Sequence, residues 1–299
     1  MIIILIFAAI LNMPNELALL KKIAPLINST HSKCLELLPK AAKNYASLAS
    51  LVCGEKLTDE TLKENLSKTS IIHIFIVSGS HLIFIDAFFD LLAVPFFIRL
   101  FFLSFYSLAV GWQAPVVRAL VSLILQGIQK HYSLFFPRDL TTLMSGLCTL
   151  ALFPEWWKSN SLIMSWCASL ALSLPTILRI KESLKSNLLA QASLFLLMTI
   201  PLFGFGSLHP LSIIYNLILG NVVAFVLLPL SALTLISTNF VIIFDAILET
   251  FKFVLENFSE PITMISHSSF STPTLWSWVF AWHIFFHFLR IHLYHGKTT

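Results

Sequence analysis

The residue with the clearest chemical potential is Arg118, in the middle of a largely apolar stretch, residues 114–128. A guanidinium at bilayer depth is costly, so an arginine in such a stretch is a candidate for a functional contact with an anion. Ser122, Gln126 and Gln129 follow it, and on a helix all four side chains fall within an arc of roughly 80°. A helix here therefore carries one polar stripe, which must face protein or water and not lipid.

A second group of polar residues interrupts an apolar segment, in the sequence His73-Ile-Phe-Ile-Val-Ser78-Gly79-Ser80-His81. Glycine and serine weaken a helix and free backbone carbonyl and amide groups, which line routes for polar cargo in membrane proteins. A kink used for close helix packing is an alternative interpretation, and a nucleophilic Ser78–His81 pair is another. The pair lacks a nucleophile-elbow motif and an acid at an obvious spacing, so we expect no enzymatic activity.

The C-terminal histidines raise the question of a metal site. His283 and His287 have the spacing of a helical metal pair, but no glutamate or cysteine accompanies them. Tryptophans lie nearby in the sequence, which favours a role for these histidines as anchors at the membrane interface. We therefore predict no metal site and no cofactor.

Other polar residues in apolar segments are candidates for ion pairs or for close packing of helices. Asp86 and Asp90 lie four residues apart; pairing with Arg99, pairing with Arg118 and capping toward the cytoplasmic interface are alternatives between which the sequence does not choose. Asn216 lies in a stripe of small and polar residues with Ser212 and Gly220. Four serines also recur every four residues, a spacing that lets helices approach closely or line a polar path; they are Ser161, Ser165, Ser169 and Ser173.

The composition is that of a membrane protein, with 57% hydrophobic and 11% charged residues, against about 25% charged in a soluble domain. The net charge of +4 gives no reason by itself to propose a nucleic acid. We predict an all-α polytopic protein of about eight transmembrane or re-entrant helices with additional amphipathic interfacial helices. The predicted spans lie near residues 71–92, 94–111, 114–129, 139–153, 161–178, 188–203, 209–236 and 274–293.

These spans divide the chain into two regions. Residues 71–299 form the transmembrane domain, and residues 1–70 contain a short apolar N-terminus and an amphipathic segment. The densest basic loop, residues 179–185, is predicted to be cytoplasmic, which puts the segment before Ile71 outside the cell. A multi-pass protein of the prokaryotic plasma membrane is the location that this scheme predicts.

Two further features concern the more polar segments of the chain. Cys34 and Cys53 could form a disulfide if their segment is extracytoplasmic, and two unrelated thiols are the alternative. Four charged residues repeat at helical spacing and predict an amphipathic helix in the membrane interface; they are Asp245, Glu249, Lys252 and Glu256.

The motifs in this order resemble one family. Leu51-Val-Cys-Gly-Glu55 followed by His73 to Leu82 resembles the block H-L-x-x-x-S-G-x-H of the ComEC competence domain, with Ser80 where leucine is common. Gly111-Trp-Gln-Ala-Pro115-Val-Val-Arg118-Ala119 resembles the block G-[FW]-x-x-P-x-x-R-A of that family. Leu211 to Asn216, with Pro229-Leu230, is similar to a later block. The resemblance covers roughly residues 45–235.

The resemblance implies a plasma-membrane channel that admits single-stranded DNA during natural transformation. It implies structural or path-lining roles for His73, Ser78, Gly79, His81, Arg118 and Asn216. The polar stripe that follows Arg118 adds Ser122 and Gln126 to this set. Its expected partners are single-stranded DNA, the lipid bilayer, a DNA receptor, a separate nuclease, and a cytoplasmic helicase or single-strand binding proteins. A homo-oligomer would bring several copies of Arg118 around one pore.

The chain departs from the common layout of that family. We expect a minimal form without the OB-fold that often precedes the competence domain and without the metallo-β-lactamase-like domain that often follows it. A transporter or flippase for a small anionic or lipid substrate, using the same Arg118, is the alternative function.

Overall fold

The computed structural model describes residues 18–75, 79–181, 183–203, 211–259 and 270–295. All regular elements in these ranges are helical, as the sequence predicts. The elements of the first half are α1 Ala18–Leu37, α2 Tyr45–Cys53, α3 Glu60–Lys68, α4 Ile72–Phe75, α5 Gly79–Leu91, α6 Phe96–Ala109, α7 Ala114–His131 and α8 Arg138–Leu152.

The second half of the chain contains seven further α-helices within the described ranges, together with one 3-10 and one π-helical turn. In chain order they are the 3-10 turn Pro154–Lys158, α9 Asn160–Ala171, α10 Leu174–Ile177, α11 Leu184–Leu202, α12 Ser212–Val222, the π-helical turn Val223–Leu227, α13 Leu228–Leu233, α14 Asn239–Ser259 and α15 Thr272–His295.

Two helical runs among the described residues are both long enough and apolar enough to cross a bilayer. They are Asn160–Ile177 and Ser212–Leu233. Other predicted spans coincide with shorter helices; the span near 94–111, for example, contains α6, which has 14 residues. A helix of this length rises about 21 Å, less than the thickness of a bilayer core.

The turn before α7 fixes where that helix begins. Gly111 has a φ of 80°, which glycine adopts without a steric cost, and Trp112 follows with a φ of 52°. The backbone N–H of Trp112 donates to the carbonyl of Ser107 at 2.8 Å, which closes the end of α6. Pro115 then lies in the first turn of α7, where its missing N–H costs no helical hydrogen bond.

A π-helical turn interrupts the run from Ser212 to Leu233. It spans Val223–Leu227 and lies immediately before Leu228-Pro229. Proline has no N–H to donate, and its ring clashes with the carbonyl four residues earlier, so a wider turn accommodates it without ending the run.

The polar N-terminal segment shares a hydrophobic core with the later helices. Leu48 and Leu66, from α2 and α3, are fully buried in one cluster with Leu227, Phe244 and Leu248. The boundary that the sequence suggests at residue 70 therefore separates two regions of different composition that pack together. A second cluster joins the helices from α8 to α11 with α15.

A disulfide joins Cys34 of α1 to Cys53 at the end of α2, with 5.9 Å between the Cα atoms. The other two cysteines, Cys148 and Cys167, are free thiols in α8 and α9. The disulfide holds α1 beside the loop that follows Gly54.

The charged face of α14 packs against protein, whereas the sequence predicts a helix lying in the membrane interface. Lys252 Nζ lies 2.9 Å from Asp59 Oδ2 and donates to Asn44 Oδ1 at 2.6 Å. Asp245 accepts hydrogen bonds from the backbone N–H groups of Lys43 and Asn44, both at 3.0 Å. Amphipathic spacing reports a polar face but not whether water or protein covers it.

The position of Lys252 predicts a measurable contribution to stability. Lys252→Met should lower the free energy of unfolding by about 1–2 kcal/mol, because it removes hydrogen bonds to a carboxylate and an amide that are partly shielded from water. Lys63→Met, which breaks an exposed pair with Glu60 in the same segment, should change it by less than about 0.5 kcal/mol. Denaturant unfolding of the detergent-solubilised protein measures both values.

The difference between the two variants should depend on pH. Burial opposes ionisation of Asp59, but hydrogen bonds from Lys252 and the Leu62 N–H hold its pKa below the ordinary value of 3.8. The contribution is therefore complete above that value and is lost as the pH falls through the lowered pKa. Equal destabilisation by Lys252→Met and Lys63→Met at neutral pH would contradict a special role for Lys252.

Candidate functional site

Three helices that carry the sequence motifs meet at Gly79. This glycine begins α5, and a Cβ placed on it would lie 2.9 Å from the Cβ of Ala119 and 3.0 Å from the carbonyl oxygen of Pro115, both in α7. The same point lies 3.6 Å from the hydroxyl of Ser165 in α9. Gly79 is therefore required for a close approach of α5 to α7.

Arg118 lies on α7 between Pro115 and Ala119 and is only 3% exposed. Its Nε donates to Ser165 Oγ at 3.0 Å, and its Nη2 donates to Ser169 Oγ. Two of the four periodic serines are thus hydrogen-bond acceptors for the arginine. We call Gly79, Arg118, Ser165 and Ser169 the arginine node.

The charge of Arg118 is not balanced by an acidic residue in the described part of the chain. Its hydrogen-bond acceptors are two neutral hydroxyl groups. A buried guanidinium is normally paired with a carboxylate, because desolvation is expensive when the charge is uncompensated. The arginine node has the chemistry of an anion site. Its planar donor group is held in a shielded environment, and its positive charge has no acidic partner among the described residues.

The rest of the polar stripe on α7 divides between two sets of contacts. Gln126 is exposed and donates through Nε2 to Ser122 Oγ at 3.2 Å, within the same helix. Gln129 Nε2 donates to Thr141 Oγ1 of α8 at 3.0 Å. The sequence grouped these residues on one face with Arg118, but only Arg118 reaches α9.

The remaining motif residues are placed as follows. His81 is 2% exposed in α5, and Asn216 is 9% exposed in α12. The Oδ1 atom of Asn216 is buried and accepts no hydrogen bond from the described residues. His73 belongs to α4, but its side chain lies outside the described part of the chain, as does Ser78 entirely. The alternative Ser78–His81 pair therefore lies outside the described residues.

The two aspartates of α5 pair with Arg99. Arg99 Nη1 lies 2.5 Å from Asp90 Oδ1, and Arg99 Nε lies 3.6 Å from Asp86 Oδ1. The structure thus selects Arg99 among the alternatives that the sequence left open. It leaves Arg118 without either carboxylate.

An additional buried ion pair was not predicted. Arg290 of α15 lies 3.3 Å from Asp139 Oδ2 at the start of α8, and Asp139 is 4% exposed. The sequence contained one signal for it, an aspartate in the first turn of an apolar helix, but no indication of its distant partner. This pair fastens α15 to α8 and balances its own charges, unlike Arg118.

His283 packs in the protein core, whereas the sequence favoured a role as an anchor at the membrane interface. It is 7% exposed, and its Nε2 accepts a hydrogen bond from the Trp166 indole N–H at 2.7 Å. His287 is exposed and hydrogen-bonds to Arg290 at 3.0 Å. Among the described residues, no group of three or more metal-ligating side chains is arranged to hold an ion.

The packing at Gly79 predicts a specific double-mutant result. Gly79→Ala should lower the free energy of unfolding by about 1–3 kcal/mol, because the new methyl group overlaps Ala119 and the Pro115 carbonyl. Combining it with Ala119→Gly should recover part of that loss by removing one of the two overlaps. Unfolding of the four proteins of the cycle measures the coupling, and strictly additive effects would contradict the contact.

The comparison with protein families returns a match to the Competence protein family over residues 51–295, which is most of the chain. The matched region contains Gly79 and Arg118 and all of α3 to α15. Comparisons with curated proteins and with solved structures return no match. The motif blocks, the helices that carry them and the extent of this match agree: the chain belongs to the Competence protein family, with its matched region corresponding to the ComEC competence core.

Proposed function

We propose that this protein is a channel of the prokaryotic plasma membrane through which single-stranded DNA enters the cell during natural transformation. Family membership supports a role in competence and DNA uptake. The observation that carries the more specific proposal is Arg118, a buried cation with neutral partners at the junction of the helices that carry the family motifs. A DNA phosphate supplies the negative charge that this position lacks.

The proposal includes a multi-pass arrangement of about eight membrane segments. Phe97, Phe101 and Phe105 recur every four residues on α6 and are 78%, 68% and 56% exposed, as expected of a face in contact with lipid. The disulfide between Cys34 and Cys53 supports an extracytoplasmic N-terminal segment, because disulfides persist in oxidising compartments. The distribution of lysine and arginine gives the same orientation.

In this mechanism Arg118 contacts one phosphate at a time as the strand passes. The guanidinium is 3% exposed in the structure, so passage requires α7 and α9 to separate at the arginine node. The guanidinium then exchanges its hydrogen bonds to Ser165 and Ser169 for hydrogen bonds to the incoming phosphate. It returns to the two serines when the phosphate has passed. A single exchangeable contact of this kind is weak enough for the strand to move on.

The chain supplies neither the energy nor the cleavage chemistry in this proposal. Its sequence contains no nucleotide-binding P-loop motif. We propose that cytoplasmic single-strand binding proteins or a helicase pull the strand, that a DNA receptor delivers it, and that a separate nuclease degrades its complement. One arginine alone attracts a polyanion only weakly. A homo-oligomer would place several arginine nodes around one pore.

A transporter or flippase for a small anionic or lipid substrate is the second candidate. The low exposure of Arg118 favours it, since a small anion needs less opening of the helices than a DNA strand does. Strong salt dependence of binding distinguishes DNA, because each neutralised phosphate releases counterions.

The test of the proposal is the transformation of cells that carry Arg118→Ala, Arg118→Lys or a deletion of the gene. Arg118→Ala should lower the yield of transformants about tenfold or more, with labelled DNA accumulating outside the inner membrane. Arg118→Lys should give an intermediate yield, because it keeps the charge but loses the planar donor pair. Arg138→Ala, which removes an exposed arginine on the neighbouring α8, is the matched control and should transform normally.

Membrane levels of each variant must be matched by immunoblotting before yields are compared. Normal transformation by the deletion strain would refute the DNA channel and make the small-anion transporter the leading function. Normal transformation by Arg118→Ala alone would remove Arg118 from the path while leaving the family role intact.

A further inference from the structure

A cleft with a volume of about 910 Å³ lies where α7 begins, one helical turn before Arg118. This volume is in the range of ligand-binding pockets. Four stretches of chain that are far apart in the sequence form its walls: α1, the loop after Gly54 with the start of α3, the turn before α7, and the connection between α8 and α9. All four are extracytoplasmic in the orientation proposed above.

The walls of the cleft are fastened to each other. Gln113 Nε2 donates to the carbonyl of Gly54 at 2.8 Å, which ties the turn before α7 to the loop after α2. His31 of α1 hydrogen-bonds to the carbonyl of Ala109 at 2.9 Å and to Glu55 at 3.2 Å. With the disulfide nearby, these contacts indicate a preformed cleft that loses little entropy when it binds a ligand.

Two tryptophans, two lysines and two glutamates supply the aromatic and charged groups of the lining. Trp156 stacks on Phe153, with 4.4 Å between ring centroids, which fixes its orientation. Trp112 has a buried indole N–H that donates to no atom of the described residues. Lys56 is exposed and has no ion-pair partner in the described part of the chain, whereas Lys63 pairs with Glu60.

Two helices lead from the lining of the cleft to the arginine node. Ala114 lines the cleft, and Arg118 lies one helical turn further along the same face of α7. Ser161 also lines the cleft, and Ser165 lies one turn further along the same face of α9. The two helices that hold the node thus lead away from the cleft as a pair, and a ligand in the cleft lies next in line for Arg118.

We propose that this cleft is the loading site for the incoming strand, where bases stack on Trp112 and Trp156 and a phosphate contacts Lys56. Aromatic rings bind the bases of single strands without regard to sequence, which suits a strand of any origin. Polar side chains on the walls supply hydrogen bonds to base edges, and they include Asn28, Thr58, Gln113 and Ser159. The inference rests on the proposed DNA channel and adds to it a site at which the strand binds first.

The experiment measures binding of a fluorescent oligothymidylate to the full-length protein in lipid nanodiscs by anisotropy, over salt concentrations of about 50 to 200 mM. Trp156→Ala should weaken binding about 5- to 100-fold through the loss of stacking. Lys56→Gln should reduce the slope of log affinity against log salt by about 0.7, the value for one phosphate contact of a single strand. Because Lys56 is exposed, this second variant does not threaten the fold.

Two matched controls remove the same chemistry from outside the cleft. Lys33→Gln changes an exposed lysine elsewhere on α1, and Phe135→Ala removes a 94% exposed aromatic side chain. Both should bind like the wild type. Wild-type binding by Trp156→Ala together with an unchanged salt slope for Lys56→Gln would overturn the loading site.

The outcomes separate this inference from the function on which it rests. If the wild type binds the oligonucleotide and transformation depends on Arg118, but the cleft variants bind normally, only the loading site is wrong. If the wild type does not bind and the deletion strain transforms normally, the DNA channel itself is wrong.

Discussion

Burial of the Arg118 guanidinium is the constraint on which the centre of the molecule depends. At 3% exposure the group has lost its water, so its N–H donors need acceptors inside the protein. Ser165 and Ser169 supply them only if α7 and α9 are close, and serine is small enough to allow that approach. Gly79 admits α5 to the same junction, because any side chain there would overlap α7. Arg118 thus sets the spacing of α7 and α9, and Gly79 sets that of α5 and α7.

The outer part of the molecule is held by a different kind of contact. Lys252 joins α14 to the N-terminal segment through Asp59 and Asn44, while the hydrophobic cluster beneath them joins the same elements. This arrangement fixes the loop after Gly54, which forms one wall of the cleft. The polar face of α14 thus binds the N-terminal segment and not water, and the cleft depends on this attachment.

The sequence predicted local structure well where a single helix carried the signal. The predicted spans 114–129 and 139–153 differ by one or two residues from α7 and α8, because apolar periodicity and proline mark helix limits locally. It could not pair Asp86 and Asp90 with Arg99, or find the partner of Asp139, because such pairs depend on how distant helices pack. The cleft was not predicted for the same reason: its four walls are far apart in sequence, and none of them is distinctive alone.

The charge imbalance at Arg118 also bears on how a path could open. Separating α7 from α9 removes the two serine contacts, and this alone is unfavourable for a shielded guanidinium. An anion that reaches Arg118 replaces neutral acceptors by a charged one, so it binds the separated state more strongly than the closed state. A ligand shifts such an equilibrium only by this difference in affinity. In the proposed channel the strand therefore opens its own path, and without a strand the arginine returns to the serines and the membrane stays sealed.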